Sequence, residues 1–175
     1  MIIWINGPFG VGKTAVAKTL AKMWPEARIL DPEKIGFRLQ WEMRFKSLFI
    51  FKKVPSDFQD IPEWRKRTLE EILFRLKVRQ WPVIVPMTLV NATYFKEILA
   101  PLCEATDVYH FSLVAKPTTI RKRINRKFAS QSSKKWAISQ IETCLEALKK
   151  PLFAMNIDTE DRTRSQIAKD IVSRL

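Results

Sequence analysis

The sequence predicts an α/β fold in which a parallel sheet is packed between helices. Short runs rich in β-branched residues alternate with longer stretches of helical period, which is typical of βαβ units rather than of hairpins. One of the short runs, Val83–Val85, is apolar throughout, as expected for a strand that is buried on both faces. With 175 residues, of which 46% are hydrophobic and 28% charged, the chain has the size and composition of one globular domain, which we expect to span residues 1–175.

The predicted elements follow one another along the chain. Strands are expected at five apolar runs: Ile2–Asn6, Arg28–Leu30, Val83–Val85, Val108–Ala115 and Phe153–Ile157. Helices are expected where apolar residues recur every three or four positions: Thr14–Trp24, a helix that begins at Pro32, Pro62–Arg79, Ala92–Cys103, a helix through Ile138–Leu148, and Ser165–Leu175. Two segments interrupt this rhythm. Residues 36–61 are aromatic and basic, and residues 116–135 carry eight cations and no carboxylate.

The charge balance favours polyanionic partners or substrates. The chain has 31 Lys and Arg against 18 Asp and Glu, a formal net charge of +13. Phosphate compounds, nucleic acid and anionic membranes all fit this charge. No apolar run is long enough to span a membrane and the first residues do not resemble a signal peptide, so we expect a cytoplasmic protein without a transmembrane segment. Cys103 and Cys144 lack metal or redox spacing and are expected to be reduced core thiols.

The strongest motif is a phosphate-binding loop. The loop matches G-x-x-x-x-G-K-[ST] over eight consecutive residues, Gly7, Pro8, Phe9, Gly10, Val11, Gly12, Lys13 and Thr14. It lies between a predicted strand and a predicted helix, the context in which backbone amides and a helix N-terminus bind polyphosphate. Lys13 is expected to reach the β- and γ-phosphates, and the Thr14 hydroxyl is the expected Mg²⁺ ligand. ATP and Mg²⁺ are therefore the predicted cofactors.

The rest of the sequence points to a small kinase-like phosphotransferase. A GTPase would show N-K-x-D and D-x-x-G, and an ABC ATPase would show L-S-G-G-Q, and neither set is present. The chain is also too short for a helicase core. In the remaining class, a sheet holds ATP at its carboxyl edge while added segments hold the acceptor. We interpret residues 36–61 as the acceptor-binding insertion and residues 116–135 as the lid region.

Two residues at the predicted carboxyl edge of the sheet are candidates for catalysis. Asp31 ends the second strand, where a carboxylate would bind a Mg²⁺ water or accept the proton of an acceptor hydroxyl. It would equally serve as the N-cap of the helix that begins at Pro32, and both roles are compatible. The third strand ends without the usual metal-binding aspartate, and Thr88 just beyond it is a candidate for a substrate or metal-water contact.

The basic segment contains the candidate lid arginines. Residues 121–127 would form a basic helix, Ser130–Ser133 a polar loop, and a helix would resume at Lys134. Arg123 and Arg126 are three positions apart, so they share a helix face and would together stabilise charge on the transferred phosphoryl group. The alternative is a solvated basic face or a nucleic-acid patch.

Five blocks of sequence resemble the tunicamycin-resistance family of P-loop proteins: Ile2–Gly7, Asp31–Phe37, Asp57–Gln59 with Trp64 and Arg65, Val83–Thr88, and His110–Leu113. The resemblance extends over nearly the whole chain. It implies a fold similar to nucleoside-monophosphate and shikimate kinases, with a five-stranded parallel sheet in the order 2-3-1-4-5 and a helical lid. It also implies an ATP-binding protein that protects against tunicamycin, by phosphorylating it.

The resemblance suggests where an acceptor would bind. Tunicamycin joins a uridine-like head to sugars and a fatty acyl chain, and Phe37, Trp41 and Phe45 would form a helical stripe that stacks on a base or holds lipid. The alternative is a core stripe, because helical spacing alone requires nothing more. Gln59 and Arg65, together with Asp57, could bind acceptor hydroxyls or phosphate, or act as loop and cap residues. His110, within an apolar strand, is expected to be a core histidine.

Three functions follow from these patterns. The first is an ATP-dependent phosphotransferase that acts on a hydroxyl of a small molecule, tunicamycin or a related nucleoside antibiotic. The second is a protein that binds ATP and sequesters the antibiotic without catalysis. The third is a nucleotide or nucleic-acid end kinase, which the net charge favours but the lack of a recognisable nucleic-acid module disfavours.

Overall fold

A computed structural model of the chain describes residues 1–47, 57–79, 81–127, 129–153 and 155–175. The strands are β1 Ile2–Asn6, β2 Arg28–Ile29, β3 Val83–Pro86, β4 Val108–Val114 and β5 Asn156–Asp158. The helices are α1 Lys13–Met23, α2 Pro32–Ser47, α3 Pro62–Arg79, α4 Ala92–Ala105, α5 Pro117–Lys127, α6 Gln131–Ser139, α7 Ile141–Leu148 and α8 Arg164–Val172. Two short 3₁₀ helices span Phe58–Asp60 and Pro151–Phe153.

The five strands form one parallel sheet. Its order is β2-β3-β1-β4-β5, and each neighbouring pair is parallel. In the central register Trp4 of β1 lies opposite Val85 of β3 and His110 of β4. The predicted α/β class and the strand order 2-3-1-4-5 are confirmed.

The sheet is covered on both faces by apolar packing. Ile3 and Ile5 of β1 belong to a core shared with α1, α5 and α8, while Ile2 and Trp4 belong to a second core shared with α3 and α4. This alternation follows from the two-residue period of a strand. Every residue of β1 is buried, so the phosphate-binding loop follows directly from the buried central strand of the sheet.

Several element boundaries differ from the sequence predictions. The fifth strand begins at Asn156, not at Phe153, because Phe153 is a buried residue of the preceding 3₁₀ helix. In the basic segment the helix resumes at Gln131 rather than Lys134, since the side chain of Ser130 caps it. Residues 36–47 of the predicted insertion continue α2, and residues 48–56 of that insertion lie outside the described residues.

The titratable groups of the core behave differently from one another. His110 packs edge-on against Phe95, with ring centroids 4.9 Å apart, and burial lowers its pKa to about 4. Cys144 is buried on α7, and burial raises its pKa to about 11. The prediction that both thiols are in the core is wrong for Cys103, which is exposed near the carboxyl end of α4. Within the described part of the chain, no helix is long and apolar enough to cross a membrane.

Candidate functional site

The phosphate-binding loop, residues 7–14, joins β1 to the first turn of α1. Three of its residues are glycines with positive φ angles, namely +139° at Gly7, +83° at Gly10 and +118° at Gly12. Residues with a side chain rarely adopt such angles. A Cβ atom at Gly7 would lie 2.5 Å from the carbonyl oxygen of Leu113, and one at Gly10 would lie 2.5 Å from Cγ1 of Ile124. The loop therefore fits closely between β4 and α5.

A buried asparagine anchors the start of the loop. Asn6, the last residue of β1, donates from Nδ2 to the carbonyl oxygen of Leu89 at 2.7 Å. Its Oδ1 accepts the amides of Gly7 at 2.8 Å and Leu89 at 2.9 Å. This side chain joins the phosphate loop to the segment after β3. The sequence prediction missed Asn6, although a polar residue that ends a fully apolar strand was a visible signal.

Lys13 is buried inside the loop that precedes it. Its side chain is 7% exposed, and Nζ donates to the carbonyl oxygens of Gly7 at 2.9 Å and Pro8 at 3.1 Å. A third hydrogen bond joins Nζ to Oγ1 of Thr88 at 2.7 Å. All three acceptors are neutral. Burial lowers the pKa of Lys13 to about 8, and the negative charge of Glu33 opposes this effect.

The other loop residues line the same site. Thr14 lies half-buried in the first turn of α1. The ring of Phe9 lies beneath Lys13, with 5.3 Å between Nζ and the ring centroid. The same ring packs edge-on against Trp136 of α6. No group of three or more His, Cys, Asp or Glu side chains able to hold a metal ion is found among the described residues. A hydroxyl ligand such as Thr14 fits Mg²⁺ that is bound largely through phosphates and water.

Two carboxylates lie at the carboxyl end of β2. Asp31 Oδ1 accepts the amide of Glu33 at 3.1 Å, so Asp31 caps α2 as the alternative interpretation expected. The negative charge of Glu33 raises the pKa of Lys13 more than that of Asp31 does. Burial raises the pKa of Glu33, while Lys13 acts in the opposite direction. The sequence prediction missed Glu33, and its signal was the Asp-x-Glu spacing just after a strand.

The predicted lid arginines have different surroundings. Arg123 donates from Nη1 to the carbonyl oxygen of Val11 at 3.1 Å and to Oγ1 of Thr159 at 2.8 Å, and from Nη2 to the carbonyl oxygen of Thr159 at 2.9 Å. It thus joins α5, the phosphate loop and the segment after β5. Arg126 is exposed on α5.

The predicted acceptor residues Gln59 and Arg65 belong to one hydrogen-bonded network. Arg65 is 9% exposed; its Nε donates to Glu97 at 2.6 Å and its Nη1 to the carbonyl oxygen of Gln59 at 2.6 Å. Its guanidinium carbon also lies 3.9 Å from the ring centroid of Tyr94. Gln59 in turn accepts the amide of Val90 at 3.3 Å, so this network reaches the segment that follows Thr88.

The aromatic stripe of α2 faces outward. Phe37 is 62% exposed and Trp41 is 63% exposed. The ring of Phe37 makes an edge contact with Phe58, at a centroid distance of 5.2 Å. The core alternative is therefore wrong for these two residues, while Leu39 on the same helix is buried. The side chain of Phe45 lies outside the described residues.

Comparison with known proteins gives structural relatives. No protein-family profile matches the sequence, and no curated protein was found to match it. The fold is similar to that of the tunicamycin resistance protein of Deinococcus radiodurans, with a TM-score of 0.78 and 28% identity over 99% of this chain and 94% of that chain. This confirms the resemblance that the sequence motifs indicated.

Two kinases share the fold at lower identity. A gluconokinase from Sinorhizobium meliloti has a TM-score of 0.64 and 14% identity, covering 98% of this chain and 89% of that chain. A shikimate kinase from Acinetobacter baumannii has a TM-score of 0.63 and 16% identity, covering 99% of this chain and 91% of that chain. The chain accordingly has a kinase-like P-loop fold over its whole length.

Proposed function

We propose that this chain, a structural relative of a tunicamycin resistance protein, is a phosphotransferase that moves the γ-phosphoryl group of ATP to a hydroxyl of a small molecule. The observation that carries the proposal is the burial of Lys13 among neutral hydrogen-bond partners. Its ammonium is buried in a glycine-rich loop and has only neutral hydrogen-bond acceptors. A buried cation without a carboxylate partner favours an anionic ligand, and the loop geometry matches polyphosphate.

The nucleotide side of the proposed site is built from the phosphate loop. Its backbone amides would bind the phosphates, Lys13 would neutralise charge on the β- and γ-phosphates, and Thr14 would hold Mg²⁺. Bound Mg²⁺ would supply further neutralisation of the phosphate charge. Because Arg123 is already bonded to Val11 and Thr159, we assign the exposed Arg126, of the two predicted lid arginines, to approach the transferred group.

The acceptor side is assigned to the start of α2. The acceptor oxygen would form a bond to the γ-phosphorus while the bond from that phosphorus to the ADP oxygen breaks, and the hydroxyl proton would pass to a carboxylate. In this proposal Glu33 accepts the proton, because its negative charge raises the pKa of Lys13 more than that of Asp31 does. Asp31 serves as the cap of α2. Burial already raises the pKa of Glu33, which makes it a better proton acceptor.

The acceptor itself is proposed to be tunicamycin or a related nucleoside antibiotic. The similarity to the Deinococcus protein supports this, at 28% identity. So does the aromatic stripe of Phe37 and Trp41, because exposed rings next to the proposed site are able to stack on a base or contact an acyl chain. Gln59 borders this region from the 3₁₀ helix that precedes α3.

Mass spectrometry tests the proposal directly. The protein is incubated with MgATP and either tunicamycin or a panel of nucleosides, and the expected product carries one added phosphoryl group. The Lys13→Ala variant provides the matched control and should yield none. If the wild-type protein binds tunicamycin in proportion to its amount without consuming ATP, sequestration replaces the phosphotransferase proposal. If nothing is phosphorylated or bound, the acceptor assignment is wrong.

A further inference from the structure

The hydrogen bonds of Lys13 leave no donor free for a nucleotide. An ammonium group has three N–H donors. In this structure the three acceptors within reach are the carbonyl oxygens of Gly7 and Pro8 and the hydroxyl of Thr88. A phosphate oxygen that binds Nζ must therefore replace one of them.

The three acceptors differ in how readily they are replaced. The carbonyls of Gly7 and Pro8 belong to the loop backbone. The positive φ at Gly7 and its close approach to Leu113 fix the shape of this backbone. The Thr88 hydroxyl belongs to a side chain and turns about a single bond. It also has a second partner, since Oγ1 donates to the carbonyl oxygen of Gly7 at 2.9 Å. Loss of the contact with Lys13 thus leaves the Thr88 hydroxyl hydrogen-bonded.

The backbone around Thr88 is held in place. The amide of Met87 donates to the carbonyl oxygen of Ile5 at 3.0 Å, and both backbone groups of Leu89 are bonded to the Asn6 side chain. Thr88 itself is buried, at 5% exposed. The hydroxyl is therefore presented to Lys13 from a rigid segment, which is the requirement for a positioning residue.

We propose that Thr88 is a positioning residue whose hydroxyl occupies, in the nucleotide-free protein, the Lys13 donor that a nucleotide phosphate takes on binding. The inference rests on the proposed function, since it assumes that Lys13 binds nucleotide. Thr88 holds the ammonium in place before binding, and it competes with the nucleotide for the same donor. Removal of the hydroxyl alone should therefore strengthen nucleotide binding.

The test is calorimetric titration of ADP and ATP into wild-type protein, Thr88→Val and Thr88→Ser, each with excess Mg²⁺ and with a chelator. Thr88→Val keeps the side-chain shape, and we expect it to bind both nucleotides roughly three- to tenfold more tightly under both conditions. Thr88→Ser keeps the hydroxyl and should bind as the wild type does. An unchanged affinity in Thr88→Val overturns the proposal. A loss confined to the samples with Mg²⁺ also overturns it and assigns Thr88 to a metal-bound water.

Thr68→Val is the matched control. Thr68 is fully buried on α3, and its hydroxyl has no hydrogen-bond partner among the described residues. The same substitution there should leave nucleotide affinity unchanged. Equal changes in the two variants would show a general effect of replacing a buried threonine, and would overturn the proposal.

A second measurement needs no nucleotide, so it separates this inference from the proposed function. The ammonium resonance of isotope-labelled Lys13, assigned with Lys13→Arg, is recorded in mildly acidic buffer without ligand. Protection from solvent exchange in wild type and Thr88→Ser, with loss of protection in Thr88→Val, supports the contact even if the protein binds no nucleotide. Equal exchange in all three proteins overturns the proposal, whatever the binding data show about function.

Discussion

Lys13 and Arg65 are two buried cations of similar exposure with opposite surroundings. Lys13 is 7% exposed and Arg65 is 9% exposed. Lys13 has backbone carbonyls and a hydroxyl as partners, whereas Arg65 has a carboxylate at 2.6 Å, a carbonyl and an aromatic face. The charge of Arg65 is thus neutralised inside the protein, and that of Lys13 is not.

The difference lies in the groups that balance each positive charge. Burial lowers the pKa of Lys13 to about 8, so the folded protein at neutral pH holds a charge that it would hold more easily with an anion nearby. The guanidinium of Arg65 is paired with the carboxylate of Glu97 at 2.6 Å. Sequence motifs placed both residues in the site, and the contacts indicate that ligand binding depends more on Lys13.

The largest expected effect is on Lys13. Lys13→Ala should abolish phosphotransfer and weaken ATP binding on the order of 100-fold, because a charge-assisted contact to phosphate is lost. Thermal unfolding should stay near that of the wild type, or rise, since a buried charge is removed. Nucleotide titration and calorimetric unfolding measure the two effects. Retention of ATP affinity would show that Lys13 does not bind the nucleotide.

The second effect concerns the carboxylates near Lys13. Glu33→Gln should lower turnover on the order of 100-fold or more while ATP binding is kept, because a proton acceptor is lost. Asp31→Asn is the matched variant: asparagine caps a helix as well as aspartate does, so stability should be unchanged and turnover should fall less. Initial rates at saturating MgATP measure both. The reverse ranking of the two variants would make Asp31 the proton acceptor.

The third effect is on stability. Arg65→Met should lower the free energy of unfolding by about 2 to 3 kcal/mol, because it leaves the Gln59 carbonyl and the half-exposed Glu97 without their partner. ATP affinity should change little. Arg75→Met serves as the control, because Arg75 forms an exposed pair with Glu71 at 2.8 Å, and its removal should change stability by less than about 1 kcal/mol. Denaturant titration compares them. A large loss of ATP affinity in Arg65→Met would show that Arg65 contributes to nucleotide binding.

The smallest effect concerns His110, a third buried titratable group, and the dependence of protein stability on pH. The folded pKa of His110 is about 4, below its ordinary 6.5, so the unfolded chain binds a proton in this range that the folded chain does not. The contribution of His110 to the free energy of unfolding is therefore fully present above about pH 6.5. It is lost as the pH drops towards 4, and the loss is about 2 kcal/mol at pH 5.

Replacement of the histidine isolates this contribution. The chain contains one His, so His110→Phe removes the only imidazole, and its unfolding free energy should depend less on pH between 6.5 and 5 than that of the wild type. Denaturant titrations across this range provide the measurement. Parallel curves for the two proteins would show that His110 is protonated equally in both states.

The strands, the phosphate loop and the parallel class were predictable because each depends on local sequence. Apolar runs such as Ile2–Asn6 identify buried strands, and the glycine spacing identifies the loop. The strand order came from family resemblance, since local patterns do not encode it. The partners of Lys13 and Arg65 were not predictable, because Thr88 and Glu97 lie 75 and 32 positions away along the chain.

The two outer strands of the sheet are its shortest, with two residues in β2 and three in β5, while the interior strand β4 has seven. An outer strand presents unpaired backbone groups that another chain is able to extend. These edge strands are short, and β2 carries the exposed Arg28, so each offers a second copy of the chain few consecutive backbone groups for hydrogen bonding. At high concentration the folded protein should accordingly resist growth into intermolecular sheets.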